Sequence, residues 1–500
     1  MIKDKKSTIE YVISFVMLAI AVWGTWTIVT KTTGNDIWYD EVFSMVFAGK
    51  PVKEVISLTA ADVHPPLYYI YLKMICQLGG LLGLTQVVAA KIASVIPLLV
   101  IDVLVLTYVR KRQGVVCASA IAMLLSIMPQ LPTFFVEIRM YSFAMLLIFL
   151  AYLFGGRIIE KGKATDYIAF CTVGILTAYT QYFACIAIVG LYLYIGVCFC
   201  IMKRIKDIRR LLVCGLASVI AYIPWIPEFI SQTSAVRSNY WIQPMDIKSV
   251  PGCIKFFFLP MAGAKGYASA AAGILALLIV YFVAIRKKDA SIEEKYYEFA
   301  PYAMLAIIVM VGYIFSFLGR PIFVYRYMIP VAAALYSAFA IALNRVALTW
   351  KNIAWVLILP LVWIGYYSVN VFNIEESSKL EKIDYALESL NSLPDDSVII
   401  ANFDQIAVLM DYYLPDKDIY VYEGSVDASA ALMYDNDGQS LMETELDSVV
   451  STHNNVYLFG SFNSREELLE EYKTKGIDNE LVFDSCMIER YYFNVYKLIK

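Results

Sequence analysis

Apolar residues recur along this chain in runs of about twenty positions, divided by short polar stretches, and the runs show no strict alternation. Stretches such as 11–30, 92–109 and 353–371 are long enough, as helices, to cross about 30 Å of hydrocarbon. A transmembrane β-barrel would instead show segments of about ten residues alternating apolar and polar, so the pattern predicts a polytopic α-helical membrane protein. After residue 372 the pattern changes. Helix-like periodicity over 375–390 gives way to strands at 397–401 and 418–422 around a helix at 405–413. A strand at 455–459, a helix at 464–473 with Ser464 as its cap, and strands at 480–488 and 492–499 follow. Such alternation predicts a small α/β domain over 373–500, attached to a membrane module over 1–372 whose first outer loop is 32–66.

Basic residues orient the runs. Lys3, Lys5 and Lys6 precede the first run, which lacks a small-residue cleavage site, so it reads as a retained anchor with the amino terminus in the cytoplasm. Further clusters lie at Arg110, Lys111 and Arg112, at Arg157, Lys161 and Lys163, at 203–210, and at Arg286, Lys287 and Lys288. Placing all of them in the cytoplasm makes 128–141, 179–183, 222–267 and 319–327 turns on the outer side. The stretch 67–109 looks like two helices broken at Gly79 and Gly80, yet an outer start and a cytoplasmic Arg110 require an odd number of crossings. One piece is therefore expected to be partly inserted or re-entrant, giving about eleven crossings, with thirteen as the alternative.

Composition adds a division of charge. Hydrophobic residues make up 60% and charged residues 17% of 500 positions, and the net charge is −3. Residues 373–500 hold 26 acids and 9 bases, or −17, whereas the remainder holds 18 acids and 32 bases, or +14. A basic membrane part and an acidic tail suggest opposite surroundings, with the tail outside the cell. Most of the nine cysteines sit in apolar runs as small hydrophobes. Cys253 and Cys486 fall outside the runs and leave a disulfide between them open. No cysteine or histidine spacing requires a metal.

Chemistry concentrates at 35–69, just past the first run, where Asp40, Glu41, Asp62 and His64 lie close to hydrocarbon. Charged groups there are costly unless partnered, which makes them functional candidates. A second reading of Asp40 and Glu41 is capping of the short helix that follows, since acids suit a helix start. The outer turns add Glu137, Arg139, Tyr141, Gln181, Tyr182, Glu228, Tyr240, Trp241, Arg320, Tyr325, Arg326 and Tyr327. Arg139 and Arg326 suit a phosphate, which a guanidinium grips with two parallel bonds; snorkelling or pairing with an acid such as Glu137 is the alternative. A carboxylate and a phosphate grip at the outer boundary fit sugar transfer from a lipid-linked phosphate, in which the phosphate leaves as an anion and the acceptor hydroxyl needs a base. Aromatics such as Trp38, Tyr39, Tyr68, Tyr69 and Trp241 suit sugar faces or an isoprenoid chain, and equally the aromatic belt of a membrane protein. A lipid-linked-sugar flippase or other transporter without transferase activity is the competing class.

Five motifs then point to a family. WYDE at 38–41, HPPLYY at 64–69, EIRMYSF at 137–143, PWIP at 224–227 with YWIQP at 240–244, and RPIFVYRY at 320–327 together resemble the GT-C superfamily of membrane glycosyltransferases. More narrowly the chain resembles the dolichyl-phosphate-mannose protein mannosyltransferases and aminoarabinose transferases, in their prokaryotic form with a carboxy-terminal outer domain. The resemblance implies a polyprenyl-phosphate-sugar donor, a mannose-like hexose by default, inversion at the anomeric carbon, and an acceptor on protein, glycolipid or wall polymer at the outer face of the cell membrane. It implies Asp40 as general base with Glu41 as second choice, and His64, Arg139 and Arg326 as donor-phosphate ligands. Tyr39, Tyr68, Tyr141, Gln181, Tyr182, Trp241, Tyr325 and Tyr327 become substrate-binding candidates, although Gln181 stands where relatives often carry His. No cofactor is implied, and an acid-held divalent cation near Asp40 and Glu41 stays an open alternative.

Overall fold

The computed structural model describes residues 2–34, 36–128, 130–235, 242–246, 249–258, 290–318, 321–345, 359–423, 440–461, 464–488 and 491–500. It forms two compact units. The first comprises Met1–Thr32, Thr59–Leu82 and Ala89–Asn373; the second comprises Thr33–Leu58, Gly83–Val88 and Ile374–Lys500.

Helices long and apolar enough to cross a membrane number six among the described residues: Thr8–Thr33, Gln86–Gln113, Tyr141–Glu160, Tyr182–Ile201, Ile205–Thr233 and Ile292–Phe317. Two shorter apolar helices, Val115–Ile127 and Ala164–Ala178, accompany them. Part of the expected set of crossings lies at 259–289 and 346–358, outside the described residues. Lipid offers no hydrophobic drive for helix association, so small residues that allow close approach carry the packing. The helix Val115–Ile127 is buried from Val116 to Ile127 against the first helix and against Ala332–Arg345. Gly155 and Gly156 admit the Tyr296 and Tyr297 hydroxyls so closely that a Cβ at either glycine would overlap them. The seated tyrosines are tied by Tyr296 Oη donating to Tyr152 O (2.8 Å) and Tyr152 Oη donating to Tyr297 O (2.7 Å).

One end of the first unit gathers the clusters around Arg112, Arg157 and Arg204, with acids paired to four of their arginines; the cluster at 286–288 lies outside the described residues. Arg112 pairs with Glu160, which also accepts from Tyr297 Oη; Arg157 pairs with Asp166 at 2.6 Å; Arg204 and Arg210 pair with Asp207 at 2.7 and 3.3 Å. The helix Tyr141–Glu160 runs toward this end and Ala164–Ala178 runs back from it, so Arg139, Tyr141, Tyr179 and Gln181 mark the other end. That arrangement explains the stretch 67–109. Leu67 N donates to Tyr179 O at 3.0 Å, so the helix Leu67–Leu81 starts at the second end, and its 15 residues reach only about 22 Å. The helix beginning at Gln86 passes that same end at Ser94, whose Oγ donates to Glu137 O, and reaches the basic end at Arg112 about 27 Å further on. Gly79 and Gly80 do not break the first of these helices. The break falls at 82–85, where Gly83 adopts φ +76°; a glycine inside a helix costs only about 1 kcal/mol against alanine, whereas a left-handed turn calls for one.

The second unit is built on a mixed six-stranded sheet. Strands β1 (Val398–Ala401), β2 (Asp418–Tyr422), β3 (Ser440–Leu441), β4 (Val456–Ser461), β5 (Asp478–Ile488) and β6 (Tyr491–Ile499) lie in the order β3-β2-β1-β4-β6-β5. The first four pair in parallel, and β6 joins β4 and β5 in antiparallel fashion. Val398, Ile400, Val456, Leu458 and Leu498 pack on Leu446, Val450 and Tyr472 from the helices Glu443–Thr452 and Ser464–Thr474. Of these elements, β3 and Glu443–Thr452 have no counterpart in the sequence reading: a two-residue strand carries no periodicity, and only Leu446 and Val450 of that helix are buried. The helix Leu359–Asn391 is continuous where a span ending near Val371 and a separate helix were expected, since no proline or glycine interrupts 366–391. Residues 33–58 belong to this unit because the helix Tyr39–Gly49 packs on the helix Asp404–Tyr413. Cys253 and Cys486 are both free thiols, so the disulfide left open above is not formed.

Candidate active site

At the end of the first unit opposite the ion-paired basic clusters, a short chain of polar groups gathers residues far apart in sequence. Pro65 and Pro66 stop the backbone before the Leu67–Leu81 helix, and the turn they close presents Asp62 and His64 side by side. Asp62 Oδ2 lies 2.9 Å from His64 Nδ1, and Arg139 Nη2 lies 3.5 Å from His64 Nε2. A guanidinium only donates, so this arrangement puts the Nε2 lone pair toward Arg139 and the Nδ1 proton toward the carboxylate. Arg139 is held in a tight turn by its own N–H to Glu137 O (2.7 Å), and Ser94 Oγ donates to the same carbonyl at 2.7 Å. Glu137 and Arg139 are both buried.

Arg326 arrives from the 3-10 turn Tyr325–Val331 and places its guanidinium carbon 5.9 Å from the centre of the Tyr141 ring. Tyr141 follows Arg139 by two residues, so the two arginines meet around one short segment. Phe134 closes edge-on against Tyr141 at 5.2 Å, and Tyr327 stacks on Phe183 at 4.5 Å. The fully buried Tyr68 ring packs on Tyr69 and Tyr71. Tyr325 lies against Phe256 and Phe323. His64, Arg139 and Arg326 thus lie among aromatic rings at this end of the first unit.

Tyr182 and Gln181 take other partners. Tyr182 Oη donates to Gln232 Oε1 and accepts from Trp225 Nε1 at 3.1 Å. Gln232 Nε2 in turn donates to Thr59 O (2.8 Å) and Ala60 O (3.1 Å), which fixes the backbone two residues before Asp62. Gln181 Oε1 accepts from Ala184 N at 2.9 Å and so caps the helix Tyr182–Ile201. Gln232→Leu leaves two carbonyls and a hydroxyl without these bonds and should lower stability by about 1–3 kcal/mol, read as a fall in the thermal midpoint in detergent. A midpoint equal to that of the unaltered protein would show that the network is dispensable.

Asp40 and Glu41 open the helix Tyr39–Gly49 in the second unit. Glu41 is buried and its Oε2 accepts from Trp38 N at 3.0 Å, so its carboxylate serves as a cap. Asp40 is half-buried, and its carbonyl accepts from Ser44 Oγ at 3.0 Å. Tyr39 is buried on the same turn. Thus His64, Tyr68, Arg139, Tyr141, Gln181, Tyr182, Tyr325, Arg326 and Tyr327 share the first unit, while Tyr39, Asp40 and Glu41 share the second. Trp241, with Tyr240 and Arg320, lies outside the described residues. Among the described residues, no three His, Cys, Asp or Glu side chains are grouped as metal ligands.

Asp62 is a sequence candidate from its place beside hydrocarbon, without a role; its pairing with His64 follows from acid-x-His in a turn before two prolines, which brings both side chains to one side. One contributor is not singled out from sequence. Gln232 carries no local signal, since its role comes from a carbonyl pair more than 170 positions away.

Fold and site together define a multi-pass membrane protein with a mixed-sheet carboxy-terminal region and a partly buried arginine-histidine-carboxylate cluster at one end of the helices of its first unit. No protein-family model matches the sequence, and comparison with curated proteins gives no match. Among solved structures, ArnT from Cupriavidus metallidurans in the apo state aligns over 97% of this chain and 97% of its own, at 13% identity and a TM-score of 0.45. The same protein bound to undecaprenyl phosphate aligns over 96% and 97%, at 12% identity and a TM-score of 0.43. The archaeal oligosaccharyltransferase AglB from Archaeoglobus fulgidus, in complex with an inhibitory peptide and a dolichol-phosphate, aligns over 89% of this chain and 69% of its own, at 11% identity and a TM-score of 0.43.

Proposed function

We propose that this chain is a GT-C-type glycosyltransferase that moves a sugar, a mannose-like hexose by default, from a polyprenyl-phosphate donor to an acceptor hydroxyl outside the cytoplasm. The observation that carries the proposal is the meeting of Asp62, His64 and Arg139 in one hydrogen-bonded chain, with the Arg326 guanidinium 5.9 Å from the ring of Tyr141, two residues after Arg139. A donor phosphate entering this end offers its oxygens to the two guanidinium groups, and His64 Nε2 faces the same place. The isoprenoid chain lies along apolar helix surface. In this reading Asp40 is the general base: it takes the proton of the acceptor hydroxyl while the hydroxyl oxygen bonds to the anomeric carbon. The carbon–oxygen bond to the phosphate breaks, and polyprenyl phosphate leaves as an anion stabilised by the arginines, with inversion at the sugar.

The orientation follows from the charges. The basic residues gathered at the ion-paired end with Arg112, Arg157 and Arg204 support a cytoplasmic position for that end and an outer position for the arginine-histidine cluster, and the acid excess of 373–500 separately supports an outer carboxy-terminal region. The acceptor is a protein, glycolipid or wall polymer. Photocrosslinking tests the site directly. A polyprenyl phosphate bearing a diazirine near its phosphate should label peptides containing residues 64, 139 and 326 of the purified protein; labelling confined to peptides without these residues overturns the assignment.

A further inference from the structure

Residues 36–41 carry the proposed base, and their backbone is held from a part of the chain nearly four hundred positions away. Ile37 is fully buried, and both of its backbone polar groups go to one side chain: Tyr413 Oη accepts from Ile37 N at 3.2 Å and lies 3.3 Å from Ile37 O, to which it can donate. The next residues are fixed locally, with Trp38 N on Glu41 Oε2, Glu41 N and Val42 N on Trp38 O, and Asp40 O on Ser44 Oγ. Tyr413 is the last residue of the helix Asp404–Tyr413, which follows β1 directly and packs on the helix Tyr39–Gly49. Burial pushes its hydroxyl well above the usual tyrosine range, and the nearby Glu41 and Asp36 carboxylates act in the same direction, so the group stays a neutral donor and acceptor.

We infer that Tyr413 is a positioning residue for Asp40, and that one task of the carboxy-terminal region is to clamp the loop that carries the base. The inference rests on the reading of Asp40 as general base. A hydroxyl pinning the residue three positions before a catalytic carboxylate sets where the helix starts, and hence where that carboxylate sits. A general base displaced by about 1 Å can lose on the order of a hundredfold in rate. Phenylalanine keeps the ring at this position and removes only the hydroxyl.

The test is Tyr413→Phe in the full-length protein. The expected result is a fall in kcat on the order of tenfold to a hundredfold, with less than about a twofold change in KM for a synthetic polyprenyl-phosphate sugar. Amide exchange of the peptide spanning 36–41 should accelerate, and the thermal midpoint should stay close to that of the unaltered protein. In an Asp40→Asn background, Tyr413→Phe should bring no further loss, because the two residues act through one group. A kcat equal to that of the unaltered protein overturns the inference, as does an equal further loss in the Asp40→Asn background. If Asp40→Asn itself keeps full activity, the base assignment fails and the clamp fails with it; an inactive Asp40→Asn beside a fully active Tyr413→Phe overturns the clamp alone.

Discussion

Replacing Asp40 by asparagine should lower kcat for sugar transfer by about 10²–10⁴-fold while leaving donor binding and expression close to normal. The substitution keeps the size of the side chain and the helix start, since the cap of that turn is supplied by Glu41 through Trp38 N. What it removes is a carboxylate able to accept a proton from an acceptor hydroxyl. The neighbouring acid supplies a contrast. Glu41→Gln retains an oxygen that can cap Trp38 N, so its cost should fall mainly on stability and only modestly on rate. The check is a transfer assay with purified variants and a labelled polyprenyl-phosphate sugar, read as kcat and donor KM separately. Equal activity of Asp40→Asn and the unaltered protein would remove Asp40 from the mechanism.

Arg139→Lys and Arg326→Lys should act on the other half of the reaction. Lysine keeps the charge but loses the planar fork that holds two phosphate oxygens at once. A lost hydrogen bond to a charged group is worth about 1.5–3 kcal/mol, so each variant should raise the donor KM about 10–100-fold. Affinity for free polyprenyl phosphate, which carries the same phosphate without the sugar, should fall by a similar factor. Arg139 also donates to His64, so its variant should perturb the Asp62–His64 pair, and combining Arg139→Lys with Asp62→Asn should cost less than the product of the separate effects. Unchanged donor KM and unchanged affinity for polyprenyl phosphate in both arginine variants would show that the phosphate binds elsewhere.

How far the sequence discloses this arrangement depends on the range of the interaction. Membrane-length runs and basic clusters are local signals, and the clusters at Arg112, Arg157 and Arg204 do gather at one end of the helices. His64 and Arg139 could be nominated from sequence because charge next to hydrocarbon is costly, and they meet across 75 positions. Their geometry was hidden, because the contact depends on how the helices Leu67–Leu81 and Tyr141–Glu160 are placed. Gln181 shows what sequence leaves out: its amide oxygen caps the helix Tyr182–Ile201, a local bond with no mark in composition. The breaks were misplaced for local reasons, since Gly79 and Gly80 have the composition of a turn while Gly83 has the backbone conformation of one. The grouping of residues 33–58 with the carboxy-terminal region left no mark in composition, because it rests on two helix faces and one tyrosine hydroxyl.

The account depends most on the claim that the sugar–phosphate bond of the donor is broken here. The direct measurement uses purified protein in sealed vesicles, with donor labelled separately in its sugar and its phosphate, and follows both labels over time. One molecule of free polyprenyl phosphate should form for each sugar that reaches acceptor, and with Asp40→Asn both products should form at least about 10²-fold more slowly. Intact donor moved from one leaflet to the other, with both labels still joined and no dependence on Asp40, would identify a transporter instead and contradict the account.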